Sequence, residues 1–159
     1  MELPTTILTR PPELDECSKN ILLVDDEPHV LAVGKAVLIG QGFHVICASS
    51  GEQAVDLLRH AMQQQNCYAA TLLDLTMPGG PSGFETLEVL RSIAPQMPVI
   101  ACSGYFQDDA RELCQAIGFY DIISKPYNFD VLGGCVRRAV NGLPAEDVSA
   151  TQEQVLVTV

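Results

Sequence analysis

Five short runs rich in apolar or β-prone residues alternate along this chain with five segments of helical periodicity. The runs are Ile21–Val24, Phe43–Ala48, Ala69–Leu73, Val99–Cys102 and Phe119–Ser124. Continuous apolar runs of this length suit strands buried on both faces. Strands separated by single helices read as parallel neighbours joined by right-handed crossovers, with helices on both faces of the sheet. The first helix opens at Pro28, which suits a first turn, and stops at Gly40 and Gly42. The others carry apolar stripes: Ala54, Leu57, Leu58, Ala61 and Met62; Phe84, Leu87 and Leu90; Ala110, Leu113, Cys114 and Ile117, closed by Gly118; and Leu132, Cys135, Val136 and Ala139. The pattern predicts one α/β domain over residues 20–142. A flexible lead-in over 1–19 and a loose tail over 143–159 flank it, and in the tail Val155-Leu156-Val157 is β-prone.

Charge narrows the functional classes. The chain carries −11, of which the two tails supply −5 and residues 21–140 the remaining −6. Such a surface repels phosphate backbones and anionic lipid, which argues against direct nucleic-acid or membrane binding. No apolar run approaches a membrane span, and no secretory signal is visible, so a cytoplasmic protein is expected. The six cysteines (Cys17, Cys47, Cys67, Cys102, Cys114 and Cys135) form no C-x-x-C pair and no zinc-ligand spacing, and are expected to be reduced thiols. Neither G-x-G-x-x-G nor a Walker loop is present.

The chemistry gathers where the runs end. The first ends on Asp25-Asp26, the third on Asp74 before Pro78-Gly79-Gly80, the fourth on Ser103 and the fifth on Lys125. C-terminal ends of parallel strands lie along one edge, where open α/β sheets bind ligands. Two like charges about 4 Å apart repel by roughly 4 kcal/mol at an effective dielectric near 20, so three convergent carboxylates need a proton or a cation. An all-oxygen site of this kind suits Mg²⁺. With a metal on one side and Lys125 on the other, Asp74 is placed to act as a carboxylate nucleophile toward a phosphoryl group and form an acyl phosphate. Ser103 offers a hydroxyl to a phosphoryl oxygen.

These residues resemble those of a response-regulator receiver domain of two-component phosphorelays, from about Asn20 to Asn141. The resemblance implies a flavodoxin-like fold with strand order 2-1-3-4-5. It makes Asp25 and Asp26 the acidic pair, Asp74 the phospho-acceptor, Ser103 the residue that contacts the phosphoryl group and Lys125 the site lysine. Thr76 then contributes its backbone carbonyl as a metal ligand, beside Asp26 and Asp74 directly and Asp25 mainly through water. A cis peptide is implied at Lys125-Pro126. The implied partners are a histidine kinase or histidine phosphotransfer protein, with dimerisation through the face of the fourth helix, fifth strand and fifth helix. The implied activity is phosphoryl acceptance with weak self-dephosphorylation, not that of an enzyme.

The sequence departs from the family pattern in three places. Ser103 stands for the commoner threonine. The loop Gly79-Gly80-Pro81-Ser82-Gly83 is one residue longer than usual, similar to receivers attached to hybrid sensor kinases; a stand-alone receiver is the other option, since the tails are too short for an output domain. Ile122 occupies the position three before the lysine that is often aromatic in the family. Side-chain alternation puts Tyr120 and Ile122 on one face, and Tyr105 or Tyr120 is expected to take the aromatic's part. Two other classes compete. A pseudo-receiver that binds proteins without phosphorylation would be expected to lack one of the key residues. An aspartyl-phosphate phosphohydrolase would carry a D-x-D nucleophile after the first strand, where this chain has Asp25-Asp26.

Overall fold

Five strands form a single parallel sheet: β1 (Asn20–Val24), β2 (His44–Ala48), β3 (Ala70–Asp74), β4 (Val99–Ser103) and β5 (Asp121–Ser124). Their order is β2-β1-β3-β4-β5, as the family resemblance implies. Every residue of β3 and β4 is buried, which explains why those strands read as unbroken apolar runs and not as alternating ones. The computed structural model describes residues 18–105 and 107–145. Apart from Ser18, Lys19 and residues 143–145, the expected lead-in and tail, including Val155–Val157, lie outside the described residues.

Five helices cover the sheet: α1 (Pro28–Gly40), α2 (Gly51–Gln63), α3 (Gly83–Ile93), α4 (Ala110–Ile117) and α5 (Phe129–Val140). Two apolar layers result. On one face Ile21, Leu23, Leu72, Ile100 and Ile123 meet Leu38 of α1 and Leu132 and Val136 of α5. On the other, Leu22, Val24, Leu73, Ala101 and Ile122 meet Leu58 of α2, Leu87 and Leu90 of α3 and Cys114 of α4. Leu22, Leu23, Leu72 and Leu73 are fully buried, each contributing about 1.5–3 kcal/mol through lost contact with water.

Local chemistry sets the helix ends. Pro28 opens α1. Ser50 Oγ accepts the Gln53 amide at 3.1 Å while Gln53 Oε1 accepts the Ser49 amide at 2.7 Å, a reciprocal cap on α2. Ser82 caps α3 and Asn128 caps α5. Gly118 ends α4 at φ 124°, a conformation that L side chains rarely adopt, and its carbonyl accepts from the Arg91 guanidinium.

Several expectations are corrected. On α4 only Cys114 is buried, whereas Leu113 and Ile117 are about half exposed, because a helix of two turns rests on the sheet by one side chain. Phe84 also stands outside the core, edge-on to Phe119 with centroids 5.9 Å apart. Tyr120 and Ile122 do not share a face. Tyr120 precedes β5 and packs on the α1/α5 layer, while Ile122 belongs to the opposite layer. Finally, Cys47, Cys102, Cys114 and Cys135 are free, but Cys67 is disulfide-bonded, against the expectation of reduced thiols throughout.

Candidate functional site

Strand register brings the ends of β1, β3 and β4 level. Val24 pairs with Leu73, and Asp74 with Cys102, so the residues that follow project from one edge. Asp25 and Asp74 are buried and Asp26 is exposed. One carboxylate oxygen from each of the three lies within 4.8 Å of the others.

Each buried carboxylate is held by its own turn. Asp25 Oδ1 accepts the Glu27 amide at 2.9 Å, and Asp74 Oδ1 accepts the Thr76 amide at 3.0 Å. These Asx-type bonds fix both side chains and leave the second oxygens facing each other's charge. Lys125 Nζ donates to Asp25 Oδ2 at 2.9 Å and lies 3.3 Å from Asp74 Oδ2. The latter contact is an ion pair without hydrogen-bond alignment, so Asp74 Oδ2 is buried and has no hydrogen-bond partner. Lys125 directly follows β5, and the Lys125-Pro126 bond is cis, as the resemblance implies.

The electrostatics follow from burial. Burial first, then the charge of Asp25, push the Asp74 carboxyl above the usual carboxylate range, against the Thr76 N–H and Lys125. Burial alone would lower the Lys125 ammonium, but its hydrogen bond to Asp25 and the charges of Asp25 and Asp74 raise it above the ordinary lysine value. Three carboxylates thus face one ammonium, an excess of negative charge that a small hard cation would relieve. The orphaned buried oxygen of Asp74 and an all-oxygen donor set fit such an ion.

Ser103 lies at the same edge, but its hydroxyl is turned to its own loop: Oγ donates to the Tyr105 carbonyl at 2.7 Å. Thr76 lines the cavity beside Asp74. The six residues singled out in the sequence are therefore gathered at one edge. Sequence reasoning missed three others. Tyr127 and Val30 help line a cavity of about 770 Å³ that opens over Asp74, Ser103 and Lys125. The Tyr127 ring packs so closely on Gly34 of α1 that a Cβ there would meet it at 3.1 Å. Gly83 lets the first turn of α3 approach the end of β3, since a Cβ would stand 2.8 Å from Leu75 Cα and 2.9 Å from the Asp74 carbonyl oxygen. The glycine at a helix start was the available signal for Gly83, and Tyr127 had none beyond its place two residues after the lysine.

A family model described as Response regulator receiver domain matches residues 21–137. The chain is 38% identical over 108 residues to the transcriptional regulatory protein CpxR of Escherichia coli, covering 68% of this chain and 43% of that protein. It is 32% identical over 121 residues to an NtrX-like response regulator of Rickettsia bellii, covering 76% of this chain and 24% of that protein. The chain thus spans less than half the length of these curated relatives. Among solved structures, a receiver domain from Clostridium thermocellum is 29% identical with a TM-score of 0.67, over 77% of this chain and 94% of that one.

Proposed function

The chain belongs to the response regulator receiver family, and from that membership we propose that Asp74 accepts a phosphoryl group from a phosphohistidine donor, with Mg²⁺ bound beside it. The observation that carries the proposal is Asp74 Oδ2: buried, without a hydrogen-bond donor, and 3.3 Å from Lys125 Nζ. That oxygen forms the new P–O bond as the P–N bond to the donor imidazole breaks, and the imidazole keeps the electron pair and takes up a proton. The Lys125 ammonium lies against the incoming phosphoryl oxygens, and Ser103 Oγ donates to one of them once released from Tyr105. Asp26, Asp74 and the Thr76 carbonyl would hold the metal, with Asp25 acting through water and its bond to Lys125. Bound Mg²⁺ supplies charge neutralisation at the phosphoryl oxygens.

The donor is a histidine kinase or a histidine phosphotransfer protein. Water entering over the cavity hydrolyses the acyl phosphate slowly, so self-dephosphorylation is weak. The added charge shifts a two-state equilibrium on the face of α4, β5 and α5, where half-exposed Leu113 and Ile117 suit a dimer contact. Among the described residues no helix is long and apolar enough to cross a membrane. The 79–83 loop favours a receiver of the hybrid-kinase kind. The names of the matched relatives favour one not joined to a kinase, and we adopt the second reading. Intact Asp25, Asp26, Asp74 and Lys125 weigh against a pseudo-receiver, and the place of Asp74 after the third strand weighs against a phosphohydrolase. Acetyl phosphate with Mg²⁺ should add one phosphoryl group to the native chain and none to Asp74→Ala; an equal adduct on the variant refutes the assignment.

A further inference from the structure

Of the five helices, α4 is held to the sheet by the fewest buried residues, Cys114 alone. No side chain caps its first turn. Burial of one small side chain holds a two-turn helix weakly. The stronger hold is polar. Arg111, in the first turn, grips Asp121 at the start of β5 with two bonds, Nε to Oδ1 at 2.6 Å and Nη2 to Oδ2 at 2.7 Å. Such a guanidinium–carboxylate fork fixes direction as well as distance.

The post that carries the fork is itself braced. Asp121 is buried. Its Oδ1 also accepts the Ile122 amide at 2.8 Å, and Cys135 Sγ of α5 donates to its Oδ2 at 3.9 Å. Cys114 belongs to one apolar layer and Cys135 to the other. One buried carboxylate thus joins α4, β5 and α5 at the edge of the sheet, where β5 is the last strand. Pulling Arg111 away would leave that carboxylate without its guanidinium in the interior, which is strongly unfavourable. Leu113 and Ile117, on the same helix, stay half exposed.

We propose that Asp121 is a positioning residue of the switch, the fixed point about which α4 turns. The release of Tyr105 from Ser103, upstream of α4, then becomes a displacement of Leu113 and Ile117 on the outer face, while the helix stays docked. This rests on the reading that Asp74 is phosphorylated and that Ser103 turns to the phosphoryl group. Without the fork α4 hangs on Cys114, and the movement ends at Tyr105.

The test compares the full chain with two variants. Arg111→Met with Asp121→Asn removes both charges together and leaves neither unpaired in the interior. Arg111→Lys keeps the charge but not the fork, and carries the same comparison with the carboxylate still paired. Without a phosphoryl mimic, amide hydrogen exchange in α4 should be faster in the double variant by about tenfold or more, through loss of two charge-assisted hydrogen bonds, with β3 and β4 unchanged. Arg111→Lys should fall between. With beryllofluoride and Mg²⁺, NMR of the native chain should show Tyr105 and the Leu113 and Ile117 methyl groups shifting together. The double variant should keep the Tyr105 shift while Leu113 and Ile117 cease to respond. Native exchange rates in α4 of the variants, or undiminished responses of Leu113 and Ile117, overturn the proposal. A native chain in which Tyr105 shifts and Leu113 and Ile117 do not overturns this coupling alone. A native chain in which Tyr105 does not shift overturns the functional reading, and the coupling with it.

Discussion

Ser103 Oγ donates to the Tyr105 carbonyl oxygen at 2.7 Å and receives the Tyr105 amide at 3.3 Å, so the hydroxyl's one proton is committed to its own loop. A serine has one proton to donate, so bonding to a phosphoryl oxygen requires releasing Tyr105. The Tyr105 side chain is 83% exposed. Tyr120, by contrast, is anchored by its hydroxyl to the Leu143 carbonyl at 2.6 Å, and Ile122 is buried. With beryllofluoride and Mg²⁺ as a phosphoryl mimic, NMR should show large shifts at Tyr105 and small ones at Tyr120 and Ile122. Ser103→Ala should still bind the mimic but leave Tyr105 unmoved; an undiminished Tyr105 shift in that variant refutes the coupling.

How much of this was legible in the sequence depended on burial. Strands buried on both faces show as apolar runs, so the ends of β1, β3 and β4, and with them the site carboxylates, could be located to within a residue or so. Where an element rests on few contacts the signal failed. The stripe on α4 promised Leu113 and Ile117 to the core, yet a two-turn helix needed only Cys114. Tyr120 was misplaced because alternation was extended past the start of β5. Long-range pairs were invisible: the buried Asp121, bonded by Arg111 at 2.6 and 2.7 Å, has no signature in a pattern of single residues.

The raised Asp74 pKa makes a prediction about stability. A folded-state value above the unfolded one means that the native chain holds the extra proton between the two, so stability falls as pH rises through that window. At neutral pH the ionised carboxylate opposes folding. Asp74→Asn should therefore be more stable than the native chain at pH 7 without metal, with a higher Tm. Lys125 keeps its 2.9 Å bond to Asp25 in that variant. The gain should shrink as pH falls through the raised folded value and be lost below the ordinary carboxylate pKa. Thermal melts of both proteins across pH check this, and a gain that grows in acid contradicts it.

Metal binding should act on stability through the same carboxylates. A ligand that binds only the native state at 100 times its Kd adds about 2.7 kcal/mol. Mg²⁺ should thus raise the Tm of the native chain, and a chelator should reverse the rise. Asp26→Asn removes one of the three convergent carboxylates and should weaken Mg²⁺ binding by about tenfold or more, some 1.4 kcal/mol. Glu27→Gln serves as the control, since Glu27 is paired with His29 at 3.2 Å and is not one of the three. Equal losses in the two variants would mean that the metal lies elsewhere.

Two glycines separate site geometry from general helix stability. A methyl group on Gly83 would meet Leu75 Cα at 2.8 Å and the Asp74 carbonyl oxygen at 2.9 Å. Both are backbone atoms, which cannot rotate aside, so either α3 or the end of β3 must move. Gly83→Ala should cost about 1–3 kcal/mol as overpacking. Because the displaced backbone carries Asp74, phosphoryl uptake from acetyl phosphate should also slow, even below the unfolding range. On Gly134 in α5 a methyl group would meet only the tip of Arg138, at 3.4 Å. Gly134→Ala should therefore gain up to about 1 kcal/mol from helix propensity and leave the uptake rate unchanged. Denaturant melts and acetyl phosphate kinetics on the two variants check both parts. A Gly83→Ala protein that is destabilised yet phosphorylated at the native rate would show that the approach of α3 supports the fold without positioning Asp74.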